Sequence, residues 1–307
     1  MKTYAVETAG LTKRFRSIPA VDAIDLKIPQ GEIFGLVGEN GAGKSTLMKL
    51  LAGMMQPSEG SFRLFGKEGK EDAFLYHRVG ALIEQPGLIP SLTAMENMKT
   101  KALAMGLHDE RELQRLLALC DIDKSGRKKV RAFSLGMKQR LGIAMALLGS
   151  PRLLILDEPT NGLDPAGIQE MRALIHDMPD ACGATVLISS HLLGEMEQIV
   201  SQVGIINHGQ LLFEGPLAEL QRHSRGNVVL RLLAPDRGAA VLRRYGLTPQ
   251  PADNGCLLPT MEDARLAALV QDLAAEGAGV VGVERQTKNL EEIFLSLTNT
   301  QTGKEVG

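Results

Sequence analysis

A glycine-rich segment contains the residue types that hold phosphate. It fits the pattern in which two glycines flank four residues and a Lys and a Ser or Thr follow. Its backbone can wrap closely around phosphate oxygens, Lys44 supplies a positive charge, and the Ser45 hydroxyl can bind Mg²⁺. An accidental match is expected in only about 2–3% of chains of this glycine content. We therefore predict a nucleoside triphosphate site formed by Gly38, Glu39, Asn40, Gly41, Ala42, Gly43, Lys44, Ser45 and Thr46.

The flanking residues have the patterns of the strand and the helix that such a loop joins. Residues 32–37 are a short apolar run, typical of a buried parallel strand. After the loop, Leu47, Leu50 and Leu51 recur at helical spacing, and the helix is expected to end near Gly53. The free N–H groups at the start of that helix, together with its dipole, favour a bound anion.

A second apolar run, residues 153–156, ends in two carboxylates. An uncharged strand places Asp157 at its carboxyl end, where ligands bind in parallel sheets. We predict that Asp157 holds Mg²⁺ and that Glu158, one residue further along, polarises the attacking water. Taken alone, Asp-Glu-Pro fits a strand end and turn equally well. Because the chain also contains the glycine-rich segment at residues 38–46, which we call the phosphate loop, the catalytic interpretation is favoured.

The segment between these strands resembles the signature of ATP-binding cassette (ABC) ATPases. Their usual core, Leu-Ser-Gly-Gly-Gln, corresponds here to residues 133–137, with strict matches at Ser134 and Gly136 only. These residues open a predicted helix, whose N-terminus can bind phosphate, although Ser is also simply a favoured helix cap. The resemblance implies that the ATP of a partner subunit is contacted by Ser134, Leu135, Gly136 and Met137.

Three further features resemble the same family. Residues 160–164 look like its D-loop and end in Asp164. His191 follows a third apolar run, at residues 184–188, so the resemblance makes it the switch histidine that contacts the γ-phosphate. A lone His is more often structural, but this one follows a buried strand in the expected order. Phe15 takes the place of the tyrosine whose ring stacks on adenine.

One position departs from the family pattern. Where the family has a metal-binding Gln, alignment on residues 92–97 places Glu84, and Gln85 lies one residue later. Glutamate at this position, together with the departures from the usual signature at residues 133–137, resembles the pattern of the bacterial branch that confers resistance to lantibiotics and bacitracin. A carboxylate can accept a hydrogen bond from metal-bound water, but it adds charge near Mg²⁺ and loses the amide donors. Glu84 and Gln85 are both kept as candidates for this position.

Composition narrows the classes of partner. The net charge of −2 and the pI near 6.3 give no general attraction to nucleic acid, and 4% aromatic residues without Trp offer little for base stacking. The three cysteines are far apart, which indicates reduced thiols. No window approaches the ~18 apolar residues of a spanning helix, and the N-terminus lacks a signal-peptide pattern. We expect a soluble, cytoplasmic chain that reaches the inner face of the cell membrane through a partner.

The predicted fold class is α/β: a P-loop NTPase ABC cassette, with a RecA-like core and a helical subdomain, followed by a small α/β appendage. We assign residues 1–218 to the ATP-binding domain, with its helical part at about 94–149 flanked by a mixed sheet. Residues 219–307 form the appendage, whose alternating pattern indicates a ferredoxin-like fold that ends in a helix at 290–297. No catalytic constellation is visible in the appendage.

The resemblance implies the ATPase subunit of a bacterial ABC transporter. It would bind ATP and Mg²⁺, pair with a second cassette (an identical chain or a close paralogue), and drive a separate membrane permease. Lys44, Glu158 and His191 would be catalytic, and the cargo would be a peptide antibiotic or similar amphiphile. One alternative is a soluble ABC ATPase acting on ribosomes or nucleic acid, although such proteins usually carry two cassettes or long insertions. The other alternative is an ATPase that regulates a membrane sensor without transport.

Overall fold

The structure is a computed structural model, and its contacts divide the chain into two units, Met1–Leu217 and Ala218–Gly307. The residues that it describes are 3–68, 77–223, 227–252 and 255–285. The helix predicted at 290–297 lies outside these ranges. Within them, no helix is both long enough and apolar enough to cross a membrane.

The first unit combines two sheets with a group of helices. Its strands are β1 (Tyr4–Phe15), β2 (Ile18–Ile24), β3 (Lys27–Pro29), β4 (Ile33–Val37), β5 (Glu59–Leu64), β6 (Lys67–Glu68), β7 (Val79–Leu82), β8 (Leu153–Leu156), β9 (Thr185–Ser190), β10 (Gln202–Asn207) and β11 (Gln210–Pro216). Its helices are α1 (Lys44–Leu51), α2 (Ala94–Ala104), α3 (Glu110–Leu119), α4 (Leu135–Ala146), α5 (Pro165–Cys182) and α6 (Leu193–Met196), and α7 (Leu217–His223) begins at the boundary.

The larger sheet has the strand order β11-β10-β4-β9-β8-β7, and all of its neighbouring strands are parallel except β11, which runs antiparallel to β10. Every residue of β4, β8 and β9 is buried. Continuous apolar runs are expected in parallel strands that are covered on both faces. The carboxyl ends of β4, β9, β8 and β7 therefore meet at one edge of the sheet.

The smaller sheet is antiparallel and has the order β2-β1-β5-β6, with β3 also paired to β1. Our expectation of one mixed sheet therefore differs from the structure, which separates these strands from the larger sheet. The physical reason lies in their burial: β5 and β2 carry exposed residues between buried ones, as strands with one covered face do. Buried residues of β1 and β5, including Val6 and Leu64, pack in one core with Leu36 of β4 and Leu47 of α1.

The helical part of the first unit consists of α2, α3 and α4, each started by a side chain that caps its N-terminus. Thr93 and Glu96 form a capping box at α2, Asp109 caps α3, and Ser134 caps α4. Cys120 ends α3 as a free, buried thiol, and burial raises its pKa to about 12.

The second unit contains β12 (Val228–Leu232), α8 (Pro235–Arg244), β13 (Gln250–Ala252), β14 (Gly255–Leu258), α9 (Asp263–Ala275) and β15 (Val280–Arg285). The strand order is β13-β14-β12-β15 and every pairing is antiparallel, which is the ferredoxin-like arrangement. Leu230, Leu242 and Leu273 belong to its core. The sequence did not predict β13, because its three residues include Pro251 and form no apolar run.

Candidate functional site

The glycine-rich loop joins β4 to α1, and two of its glycines touch neighbouring backbone. A Cβ atom on Gly43 would lie 2.2 Å from the carbonyl oxygen of Ala20, and one on Gly38 would lie 2.3 Å from that of Ile206. Gly43 also has a φ of 110°, which side chains disfavour. The loop is therefore held between β2 and β10, and only glycine fits at both places.

Lys44 is the first residue of α1, and its side chain is only 5% exposed. Its Nζ donates hydrogen bonds to the carbonyl oxygens of Gly38, at 2.7 Å, and Glu39, at 3.1 Å. The same Nζ lies 3.4 Å from Oε1 of Glu158. The ammonium group thus joins the phosphate loop to the carboxylate that follows β8.

A hydrogen-bonded network connects the ends of β8 and β9. Ser189 Oγ donates to Oδ1 of Asp157 at 2.6 Å and accepts from the backbone N–H of Glu158 at 2.9 Å. His191 Nδ1 lies 2.9 Å from Oε2 of Glu158. Asp157 is 7% exposed and Ser189 is fully buried. Ser189, which our sequence interpretation did not include among the site residues, therefore links Asp157 to the backbone of Glu158, and Glu158 contacts His191 directly.

The sequence did contain a signal for Ser189. It is a hydroxyl directly after a run of apolar residues that we predicted to be a buried strand. Its contacts with Asp157 and Glu158 could not be read from that pattern, because the register of β9 against β8 decides them. In the structure Leu156 pairs with Ile188, which places the two strand ends side by side.

Glu158 has a φ of 47°, in the left-handed region that non-glycine residues seldom adopt. The chain turns immediately after β8, which leaves the Glu158 carboxylate between the Lys44 ammonium and the His191 ring. Uncommon backbone conformations of this kind cluster at active sites. The geometry favours a functional role for this carboxylate over a simple strand end.

Glu84 and Gln85 follow β7 at the same edge of the sheet but have different surroundings. Glu84 also has a positive φ, 63°, and its carboxylate pairs with Lys49 of α1. Gln85 is exposed and lines a neighbouring groove of about 280 Å³ with Pro86 and Gly142. The structure therefore brings Glu84 into contact with the helix that follows the phosphate loop.

The signature residues line a different cleft, of about 420 Å³. Ser134 Oγ accepts a hydrogen bond from the backbone N–H of Met137 at 3.2 Å, and Asp164 caps α5 by accepting from Gly167 at 3.0 Å. None of residues 38–46 contributes to this lining. Within one chain the signature and Asp164 share a cleft that does not include the phosphate loop. The cleft is lined in part by Ser134, Leu135, Gly136, Met137 and Asp164.

Phe15 is the last residue of β1, and its side chain is 47% exposed. Lys13 Nζ lies 5.7 Å from the centre of its ring. The next strand, β2, contains Ala20, which touches the phosphate loop at Gly43. An exposed aromatic face is thus carried by the hairpin that borders the loop.

The side chains that could hold Mg²⁺ include the hydroxyl of Ser45 and the carboxylate of Asp157, beside the candidates Glu84 and Gln85. Ser45 and Asp157 both provide the hard oxygen ligands that Mg²⁺ prefers, and the ion usually keeps only one or two protein ligands beside substrate phosphates. Ser189 already holds one oxygen of Asp157 in place. Among the described residues, no three His, Cys, Asp or Glu side chains converge as a metal cage. The residues therefore fit an ion that arrives with the nucleotide.

Known proteins are similar to this chain in sequence over most of its length. Residues 21–161 match the family described as ABC transporter. The bacitracin transport ATP-binding protein BcrA of Bacillus licheniformis is 42% identical over 241 residues, which cover 78% of this chain and 79% of that protein. BcrA of Enterococcus faecalis is 36% identical over 296 residues, which cover 96% of each protein.

Solved structures with a similar fold also come from ABC transporters. The structure of cbiO1 from Clostridium perfringens, part of the ABC transporter complex cbiONQ, matches with a TM-score of 0.66 and 27% identity, over 71% of this chain and 91% of that one. The predicted fold class, a P-loop ABC cassette, is thereby confirmed. The chain belongs to the ATP-binding proteins of ABC transporters, and it is the ATPase subunit of such a transporter.

Proposed function

We propose that the chain hydrolyses ATP at the sheet edge where Lys44, Asp157, Glu158 and His191 meet, and that a membrane permease uses this cycle. The observation that carries the proposal is the position of the Glu158 carboxylate, with one oxygen 3.4 Å from Lys44 Nζ and the other 2.9 Å from His191 Nδ1. A base held between a phosphate-binding lysine and a histidine can act on water beside the terminal phosphate.

Each group has a distinct task in this proposal. The phosphates of ATP replace both the loop carbonyls and Glu158 as partners of Lys44, so Glu158 is free to orient a water molecule and accept its proton. His191 holds Glu158 through its Nδ1 at Oε2, and the other side of its ring would face the γ-phosphate. Ser45 and Asp157 would hold Mg²⁺, which neutralises phosphate charge when bound. Phe15 stacks on the adenine.

A second subunit completes the site. The signature cleft and the phosphate loop are separate within one chain, so one ATP can touch both only if a second cassette supplies the signature. We therefore propose a dimer in which Ser134 and Gly136 of one subunit face the ATP of the other. The second cassette is an identical chain or a close paralogue.

We propose that the cargo is a peptide antibiotic or a similar amphiphile, which the permease exports. Two relatives over most of the chain are named as bacitracin transport proteins, and Glu84 carries the resemblance to the same branch. The chain would then act at the inner face of the cell membrane, bound to its permease.

The partner is tested by recovering it from native membranes. Tagged Glu158→Gln protein with ATP is bound to detergent-solubilised membranes, and tagged Lys44→Ala protein is the matched control that does not close on ATP. Recovery of a polytopic membrane protein supports the permease, and transport of labelled bacitracin by that complex supports export. A membrane sensor without transport would favour the regulatory alternative. Recovery of ribosomal or other soluble partners only would overturn the permease proposal.

Hydrolysis itself is tested with the same substitution. We expect Glu158→Gln to lower turnover about 100-fold or more, because general-base catalysis contributes at least that much, while ATP affinity is retained. Glu110→Gln is the matched control, since Glu110 is an exposed carboxylate paired with Lys99 in the helical part. Turnover near the wild-type value in Glu158→Gln would remove Glu158 from its proposed role.

A further inference from the structure

Two lysines of α1 each lie close to a glutamate that follows a strand of the larger sheet. Lys44 lies 3.4 Å from Glu158, after β8, and Lys49 pairs with Glu84, after β7. The first lysine belongs to the phosphate loop. The second one, Lys49, lies outside that loop.

Glu84 lies at the same edge as the hydrolytic groups. Strands β7 and β8 are parallel with Leu82 opposite Leu156, and the backbone N–H of Asp157 donates to the carbonyl oxygen of Leu82 at 2.9 Å. Glu84 and Glu158 therefore each come two residues after a matched pair in neighbouring strands. Both have left-handed φ angles, 63° and 47°, so the chain turns sharply at both positions.

A carboxylate at this edge creates an electrostatic difficulty. ATP carries several negative charges, and the repulsion from a nearby carboxylate follows Coulomb's law. A Gln side chain would add no charge, whereas Glu84 adds a negative one. The Lys49 ammonium cancels that charge, so the Glu84–Lys49 pair has the net charge of a neutral amide.

We propose that Lys49 is a positioning residue that neutralises Glu84 and restrains it on α1, so that this carboxylate neither repels the nucleotide nor closes freely on the metal. The inference rests on the proposed function, since it assumes that ATP and Mg²⁺ bind at this edge. Loss of Lys49 should weaken the binding of metal-free ATP and strengthen the contribution of Mg²⁺, because a released Glu84 repels phosphate and attracts the cation.

The experiment measures the dissociation constant of a non-hydrolysable ATP analogue by calorimetry, once in EDTA and once with Mg²⁺. The dissociation constant in EDTA divided by the dissociation constant with Mg²⁺ reports how much Mg²⁺ strengthens binding, without any turnover. We expect Lys49→Met to raise this ratio about two- to fivefold, the range of a partly exposed ion pair. Lys49→Arg should keep the wild-type ratio, and Lys49→Gln is a second variant for the case that Met disturbs folding. Lys99→Met, which removes the exposed ion pair with Glu110, should also leave the ratio unchanged.

The decisive comparison uses a Glu84→Gln background. If Lys49 acts through Glu84, Lys49→Met should change the ratio much less when residue 84 is already neutral. If Lys49→Met changes the ratio by the same factor with Glu84 and with Gln at position 84, Lys49 acts only by its own charge. If Lys49→Met leaves the ratio unchanged in the protein that retains Glu84, Lys49 has no effect on nucleotide binding. Either result overturns the inference. Failure of the proposed function would look different, because the wild type and Lys44→Ala would then bind the analogue equally.

Discussion

At the scale of single residues, the proposed site contains side chains that hold the proposed reacting groups in addition to those groups themselves. Ser189 is the clearest case, since its hydroxyl contacts both Asp157 and the backbone of Glu158. The motif residues were predictable because the family pattern names them one by one. Ser189 was not, because its role comes from a contact between two strands.

We predict that Ser189→Ala lowers ATP turnover about 10- to 100-fold, the usual effect of losing a group that orients a metal ligand. It should also lower the free energy of unfolding by about 1.5–3 kcal/mol, because a hydrogen bond to a buried carboxylate is lost. Steady-state ATPase assays and urea unfolding measure the two effects.

Ser190→Ala is the matched control for this substitution. Ser190 is 2% exposed, and its hydroxyl accepts a neutral backbone hydrogen bond from Leu192 at 3.0 Å. Its removal should have the smaller effect on both quantities. Equal losses in the two variants would mean that the Asp157 contact has no special importance.

At the scale of elements, the phosphate loop is shaped by strands on either side of it. The strand–loop–helix order was predictable from apolar periodicity, because β4 and α1 are continuous and well patterned. The close approach of β2 and β10 to the loop was not predictable, because it depends on how the strands pack in the tertiary structure, which residue spacing along the chain does not specify. That approach explains why Gly38 and Gly43 carry no side chain.

We predict that Gly43→Ala abolishes tight ATP binding and destabilises the protein by more than the ~1–2 kcal/mol of a left-handed backbone alone. Gly66→Ala separates the two causes, since Gly66 has a φ of 79° but no atom within 4 Å of an added Cβ. It should show the backbone cost and keep ATP affinity. Thermal unfolding and nucleotide titration of both variants make the comparison, and equal behaviour would contradict the steric explanation.

The capping box of α2 gives a pH-dependent prediction. Hydrogen bonds from the Thr93 backbone N–H, the Lys129 ammonium and the Thr93 hydroxyl lower the pKa of Glu96 from 4.5 to about 2. A carboxyl whose folded pKa lies below its unfolded value stabilises the fold fully above the unfolded pKa, and this stabilisation is lost as the pH falls through the folded one. The difference in unfolding free energy between wild type and Glu96→Gln should therefore be constant above about pH 5.5 and shrink between pH 4.5 and 2. Urea unfolding at pH 6, 4 and 3 measures it, and a difference that does not change with pH would contradict the assignment.

At the scale of the whole molecule, the two units differ in how much their sequences disclosed. The first unit contains the motifs of a known family in their usual order along the chain, so its fold class could be predicted from them. The second has only alternating apolar runs, which were enough to indicate a ferredoxin-like fold but missed the short strand β13. No functional site is proposed for the second unit.

The separate signature cleft leads to a prediction about assembly. A Cβ added to Gly136 would meet its nearest atom, on Leu163, at 3.6 Å, which is ordinary contact. Gly136→Ala should therefore fold and bind ATP normally as a single chain. In the dimer it should lower turnover about 10- to 100-fold, because displacement of reacting groups by about 1 Å has effects of that size. Sedimentation with ATP in the Glu158→Gln background, together with ATPase assays, tests this, and unimpaired turnover would place the signature away from the partner's nucleotide.

The amino-acid sequence alone was sufficient for the family, the pattern of the phosphate loop and the positions of the buried strands along the chain, because these features are local and follow from residue type and spacing. Only the tertiary structure decided which side chains meet. Glu84 contacts a lysine 35 positions earlier, and Ser189 contacts a carboxylate 32 positions earlier. Such contacts depend on strand register and on the packing of α1 against the sheet, and residue spacing along the chain specifies neither of them.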